Sequence, residues 1–218
     1  MKSPRWQRRA EDRPREICAA ALEVFAKKGF AAARLEEIAK RAGVSKGTLY
    51  LYFEDKEQLF RAVVRNTVVP NVENLQAALI QTGLPFADLI RLFLSQFVAM
   101  TGQVPVGAVA KMVISESRNF PKLAKVWHDE VVSKGLGTLQ ALIEMAQAKG
   151  EVCEGDARLH TFSLMGPMLM GVIYRETLEP IGGEPLDLAA LANQHAETVL
   201  AGLLTEGSRA DLPGARRA

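Results

Sequence analysis

The sequence predicts an all-α chain: an N-terminal three-helix unit with a helix-turn-helix, joined by a long helix to a larger helical bundle, about nine helices in total. Apolar residues recur at i, i+3, i+4 and i+7 in almost every segment, and no stretch alternates with a period of two for long enough to make a strand. Glycine, proline and Asp residues fall where such helices would stop and start. At 218 residues, 48% hydrophobic and 24% charged, the chain has enough apolar side chains to bury a sizeable core in one or two domains.

Residues 1–10 carry Lys2, Arg5, Arg8 and Arg9 and are expected to form a flexible basic arm. Helix one is expected from about Pro14, whose missing N–H suits a first turn, to Lys28, with Gly29 as its stop. Ile17, Ala20, Ala21, Val24 and Phe25 form its inner stripe. Two short helices follow within residues 34–53. Asp55 then opens a long helix over about Lys56 to Ile80, with a kink expected at Pro70. Further helices are expected from Phe86 to Thr101, through Val109 and Met112 to about Arg118, from Pro121 to Lys149, from Asp156 to Leu178, and from Leu186 to Leu204. Residues 207–218 are expected to be a flexible tail. The domain reading is 11–71 for the first unit and 72–206 for the second.

Charge is unevenly distributed. Residues 1–65 hold 15 Lys/Arg against 9 Asp/Glu, a net of +6, and the remainder is net −4. A basic end on a mildly acidic body points to a polyanionic partner. No apolar run approaches the roughly 18 residues of a membrane span, and the N-terminus has no secretory pattern. Cys18 and Cys153 are too few for a disulfide scaffold or zinc site. A cytoplasmic location is the expectation.

The stretch Arg34–Phe53, RLEEIAKRAGVSKGTLYLYF, meets the demands of two helices joined by a tight turn. Ala39 is small where the helices come closest, Gly43 accepts a positive φ in the turn, and Leu49 points inward. Ser45 is placed to cap the second helix. Its outward groups suit DNA: Lys46 for a phosphate, Thr48 for a phosphate or base edge, Gly47 for close backbone approach, Tyr50 and Tyr52 for hydroxyl contacts at the groove edge.

Residues Ile38 to Phe53, followed by Asp55-Lys56-Glu57-Gln58-Leu59, resemble the DNA-binding domain of the TetR family of bacterial transcriptional regulators; the resemblance covers about residues 11–71. It implies a homodimeric, ligand-responsive regulator, usually a repressor, that binds a near-palindromic double-stranded operator and is released by a small effector. It also implies that Lys56, at the start of the fourth helix, meets the DNA backbone. Where the family has an early threonine this chain has Ala33, and Arg34 beside it is expected to supply charge instead.

Beyond residue 71 the resemblance is thinner, and the residues themselves suggest an adaptable apolar cavity. Candidates for contact with an apolar or amphipathic effector are Phe93, Phe97, Met100, Met112, Glu116, Phe120, Trp127, Phe162, Met165 and Tyr174, although core packing is the commoner role for any one of them. The last two long helices are expected to form a two-fold four-helix dimer interface through Met165, Met168, Leu169, Val172, Ile173, Leu191, His195 and Val199. No metal or cofactor is expected, because His128, His160 and His195 lie in no ligand-spaced cluster. Two other readings compete: an architectural DNA-binding protein without an effector, and an all-α enzyme. The enzyme reading lacks a nucleophile–base pair, phosphate loop or carboxylate constellation.

Overall fold

The computed structural model describes residues 5–81 and 83–209. Twelve α-helical segments are present: α1 (Arg5–Ala32), α2 (Leu35–Arg41), α3 (Lys46–Tyr52), α4 (Lys56–Val63), α5 (Val69–Gln81), α6 (Phe86–Gln103), α7 (Val106–Glu116), α8 (Pro121–Trp127), α9 (Ser133–Ala148), α10 (Ala157–Thr177), α11 (Leu188–Leu203) and α12 (Glu206–Arg209). Two pairs run on through π-helical turns, α4 into α5 over Val64–Val68 and α8 into α9 over His128–Val132, so the continuous helices among the described residues number ten. Nine match the expected set; the tenth is the short α12.

The ends differ from expectation. Helix backbone begins at Arg5, ahead of Pro14, which lies inside α1. Arg, Gln, Ala and Glu are strong helix formers, so the basic segment from Arg5 continues the helix instead of hanging as an arm. Residues 207–209, expected to lie in a flexible tail, belong to the short helix that starts at Glu206. Residues 1–4 and 210–218 lie outside the described residues. Where a kink is expected at Pro70, the helix carries a π turn over Val64–Val68 just before it: a proline has no N–H to donate and crowds the preceding turn, and a wider turn relieves both.

The described chain divides into two compact units: the stretch ending at Asn71 together with Val104–Val131, and Val72–Gln103 together with the stretch beginning at Val132. The expected division at residue 71 assigns all of 104–131 to the second domain, whereas packing joins α7 and α8 to the first unit. The cause is a shared aromatic centre. The rings of Phe25, Phe30 and Phe60 meet at 5.5–6.0 Å, and Phe120, preceding α8, stands edge-on to Phe30 at 5.1 Å. Such pairs contribute about 0.5–1.5 kcal/mol each beyond their burial.

The second unit packs α6, α9, α10 and α11 around Ile90, Leu94, Leu139, Ile143, Leu164, Met168 and Leu200. The loop after α9 is fastened to the end of α11: Cys153 N donates to Leu203 O at 2.8 Å and Thr205 N to Glu151 O at 3.1 Å. Asp156 and Asp187 cap α10 and α11. No single described helix is long and apolar enough to cross a membrane.

Candidate nucleic-acid interface

The interface is built on α2 and α3. Ile38, Ala39 and Leu49 are buried between the helices and the rest of the first unit. Gly43 sits at φ 67°, a left-handed conformation that closes the turn, with Val44 N donating back to Ala39 O at 3.0 Å. Ser45 is extended and its Oγ accepts from Thr48 N at 3.0 Å, the expected N-cap. The same oxygen lies 2.8 Å from Thr48 Oγ1, so the two hydroxyls form one small polar group at the head of α3.

Lys46 projects from the first turn of α3 and pairs with Glu36 of α2. Glu36 holds the Lys46 ammonium above the ordinary lysine range, and Lys46 in turn lowers the Glu36 carboxyl. Both groups are exposed, so the pair is weak and its lysine can exchange partners with a phosphate. Tyr50 and Tyr52 are exposed on the same helix, with Lys46 Nζ 5.8 Å from the Tyr50 ring. Arg34 is exposed and is itself the N-cap residue of α2; an arginine side chain has no acceptor, and it makes no side-chain cap. Gly47 has open space: an added Cβ would meet Ser45 Oγ at 3.8 Å, an ordinary contact.

Lys56 is turned onto the backbone of its own unit. Its ammonium donates to Phe30 O at 2.6 Å, Ala31 O at 3.1 Å and Ala33 O at 3.1 Å, and lies 4.5 Å from the Phe30 ring centre. An ammonium has three donors, and all three are directed at the chain leaving α1. Burial pushes it below the ordinary lysine range, opposed by the Glu116 carboxylate. Lys56 therefore fastens the backbone between α1 and α2 and does not project as a free cation.

Glu116, expected to meet an effector, is also committed elsewhere. Its Oε1 accepts from Phe30 N at 2.7 Å and its Oε2 from Ala31 N at 2.8 Å, satisfying the amides left open where Gly29 breaks α1 at φ 78°. The sequence separation is 86 residues, and no local pattern signals the contact.

The remaining effector candidates divide between the units. Met112 and Trp127 are buried in the first, and Phe120 is half-buried against Phe30. Phe93 and Met100 are buried in the second, with Phe97 and Met165 packed against its core. Phe162 is 50% exposed beneath Arg158 at 5.4 Å, so it lies on the surface. Tyr174 lines an open groove of about 590 Å³ with Pro167, Met170, Gly171, Leu186 and Leu191, and its hydroxyl donates to Glu184 O at 3.0 Å. Among the described residues no group of three His, Cys, Asp or Glu side chains could hold a metal ion.

Of the expected dimer contacts, Met168 and Val172 are 0% and 1% exposed and face inward on their own unit. Their register is one helical face away from the open stripe, which consists of Leu159, Phe162, Gly166 and Leu169. Met165, Ile173, Leu191 and Val199 are half-buried, and His195 is held by Leu164 O at 2.9 Å.

Residues 17–63 match the profile of bacterial regulatory proteins of the tetR family, and residues 88–174 match that of the C-terminal domain of AefR-like transcriptional repressors. The chain belongs to the TetR family. As a member it is a DNA-binding, ligand-responsive transcriptional regulator. Over 189 residues it is 26% identical to the fatty acid metabolism regulator protein of Bacillus subtilis, covering 86% of this chain and 94% of that one. Its fold is similar to that of a TetR-family transcriptional regulator from Mesorhizobium loti, with a TM-score of 0.74 at 23% identity, covering 90% and 99% of the two chains. It is also similar to the transcriptional regulator FadR from Bacillus subtilis, solved in complex with stearoyl-CoA, with a TM-score of 0.69 at 25% identity and coverage of 86% and 97%.

Proposed function

We propose that this TetR-family chain is a homodimeric repressor, acting in the cytoplasm, that binds a near-palindromic operator and is released by an amphipathic effector of the fatty acyl-CoA class. The observation that carries the DNA side is α3: a seven-residue helix capped by Ser45, with Lys46, Gly47, Thr48, Tyr50 and Tyr52 facing outward and Leu49 buried behind them. Two such helices, one from each subunit, would enter successive major grooves about one helical turn apart. The open apolar stripe of α10, centred on the small Gly166, supports pairing of subunits through that helix.

The effector class is supported by two of the named matches, both from Bacillus subtilis: a fatty acid metabolism regulator protein and a FadR structure solved with stearoyl-CoA. The Phe- and Met-rich helices suit an acyl chain. By linkage, the effector weakens DNA binding by the same factor as DNA weakens effector binding.

The experiment is a gel shift with the duplex that the full-length protein enriches from a random pool, titrated with stearoyl-CoA and, separately, free coenzyme A. The expectation is strong preference for the enriched duplex over random DNA, and its release by stearoyl-CoA alone. Equal binding to random DNA would favour an architectural role. Specific binding unmoved by stearoyl-CoA would remove the acyl-CoA class and leave the regulator.

A further inference from the structure

The most exposed large hydrophobic side chain among the described residues lies on the reading helix. Leu49 faces inward and is 0% exposed. At 100° per residue, Gly47 and Leu51 lie about 160° and about 200° around α3 from it. These two, one turn apart, form the outer ridge of the helix. The polar groups beside the ridge already have partners within the fold: Ser45 with Thr48, and Lys46 with Glu36. Leu51 is 83% exposed, more than any other large hydrophobic side chain among the described residues. It has no packing role to explain it, and it lies where a DNA-reading helix presents itself to base edges.

A leucine offers no hydrogen bond. On the major-groove edge of a base pair, the apolar feature available to it is the 5-methyl group of thymine; cytosine presents an amino donor that a leucine would leave unsatisfied. Gly47, one turn earlier and without a side chain, lets the helix settle close enough for Leu51 to reach the edge. We propose that Leu51 is a specificity-determining residue that contacts the 5-methyl group of one thymine in each operator half-site. This rests on the DNA-binding reading above and adds to it the chemical feature being read. Burial of one methyl group corresponds to about a fourfold change in affinity.

The test uses the full-length protein and the duplex it enriches from a random pool. Each thymine is replaced in turn by deoxyuridine, which removes the methyl group and keeps the pairing edge. For the wild-type protein, one position per half-site should weaken binding about fourfold. Leu51→Ala should bind the thymine and deoxyuridine duplexes equally, and Leu51→Gln, of similar size with a polar tip, should lose the discrimination too. An unchanged thermal midpoint would show that both variants are folded. A flat deoxyuridine series for the wild-type protein, or a penalty that persists in both variants, would overturn the methyl contact alone. A pool that yields no preferred duplex would overturn the sequence-specific reading, and this contact with it.

Discussion

Glu116 grips the backbone at Phe30: its carboxylate closes the two amides that Gly29 leaves open, at 2.7 and 2.8 Å. The contact joins α7 to the chain that leads into α2, within one packing unit. It also explains why residue 29 is a glycine. A Cβ there would lie 2.6 Å from Glu116 Oε1, and φ is 78°. Gly29→Ala should therefore destabilise the chain by about 1–3 kcal/mol through backbone strain, with the clash added. Glu116→Ala should lose about 1–3 kcal/mol by leaving amides unpaired. The double variant should lose less than the sum of the two, because removing the carboxylate removes the clash. Urea midpoints of the four proteins give the coupling directly; strict additivity would show that the two residues do not meet.

Lys46 and Lys56 should separate by their readouts. Lys46 is exposed and paired only with a surface glutamate, so Lys46→Ala should leave stability within about 0.5 kcal/mol and reduce the salt slope of DNA binding by about 1. Lys56 holds three carbonyls, so Lys56→Ala should lower stability by about 1–3 kcal/mol. Its salt slope at a temperature where the variant is folded should match the wild-type protein. A reduced slope for Lys56→Ala would return this lysine to the phosphate contacts.

The division between these two lysines marks where sequence legibility ends. The motif around Gly43, Ser45 and Leu49 is legible because each residue answers a local demand within a few positions: a turn, a cap, an inward face. The number and order of long helices follow for the same reason, from apolar spacing and breakers. Lys56 and Glu116 look like free charges because their partners are backbone groups 23 to 86 residues away, and a backbone carbonyl or amide has no letter in the sequence. Met168 and Leu169 are adjacent and equally apolar. Only the packing of α10 on its neighbours decides that Met168 turns inward and Leu169 outward.

Cys18 and Cys153 should differ in accessibility. Burial pushes the Cys18 thiol above its ordinary range, and its Sγ receives a contact from Asn66 Nδ2 at 3.5 Å. A raised folded value favours the protonated thiol in the fold. Nothing is gained or lost below the ordinary thiol range, and stability falls as pH rises above it, because the unfolded chain releases its proton first. Comparing urea midpoints at pH 7 and pH 9.5, Cys18→Ala should show a smaller decline than the wild-type protein. An equal decline in both would assign the slope to other groups. A thiol reagent at neutral pH should label the half-buried Cys153 first and Cys18 only on unfolding.

The apolar stripe of α10 gives a test of subunit pairing. Phe162 and Leu169 are 50% and 41% exposed and lie seven residues apart on one face. A charge at either position can reach solvent in the isolated subunit and costs it far less than a charge in its core. Phe162→Glu and Leu169→Glu should therefore leave helicity intact by circular dichroism and shift the sedimentation coefficient to that of a monomer. Operator affinity should fall at least tenfold as the two reading heads lose their linkage. Met168→Glu is the contrasting variant: it places a charge in the core of its own unit and should prevent folding. Dimers of normal affinity from both surface variants would move the interface off this face.

Gly47 separates a demand of the fold from a demand of the partner. Inside α3 a glycine is a poor helix former, and alanine would be more stable by about 0.5–1 kcal/mol. The fold does not oppose the change, since the added methyl would touch Ser45 Oγ at an ordinary 3.8 Å. Gly47 lies on the outer ridge with Leu51, so a methyl group there would stand between the helix backbone and the base edges. Gly47→Ala should therefore raise the thermal midpoint while weakening binding to the enriched duplex by tenfold or more. Loss of both stability and binding would mean that the glycine serves the backbone. A gain in stability with binding unchanged would mean that α3 does not approach DNA along this ridge, and the approach would then have to be reassigned to the flank carrying Tyr50 and Tyr52.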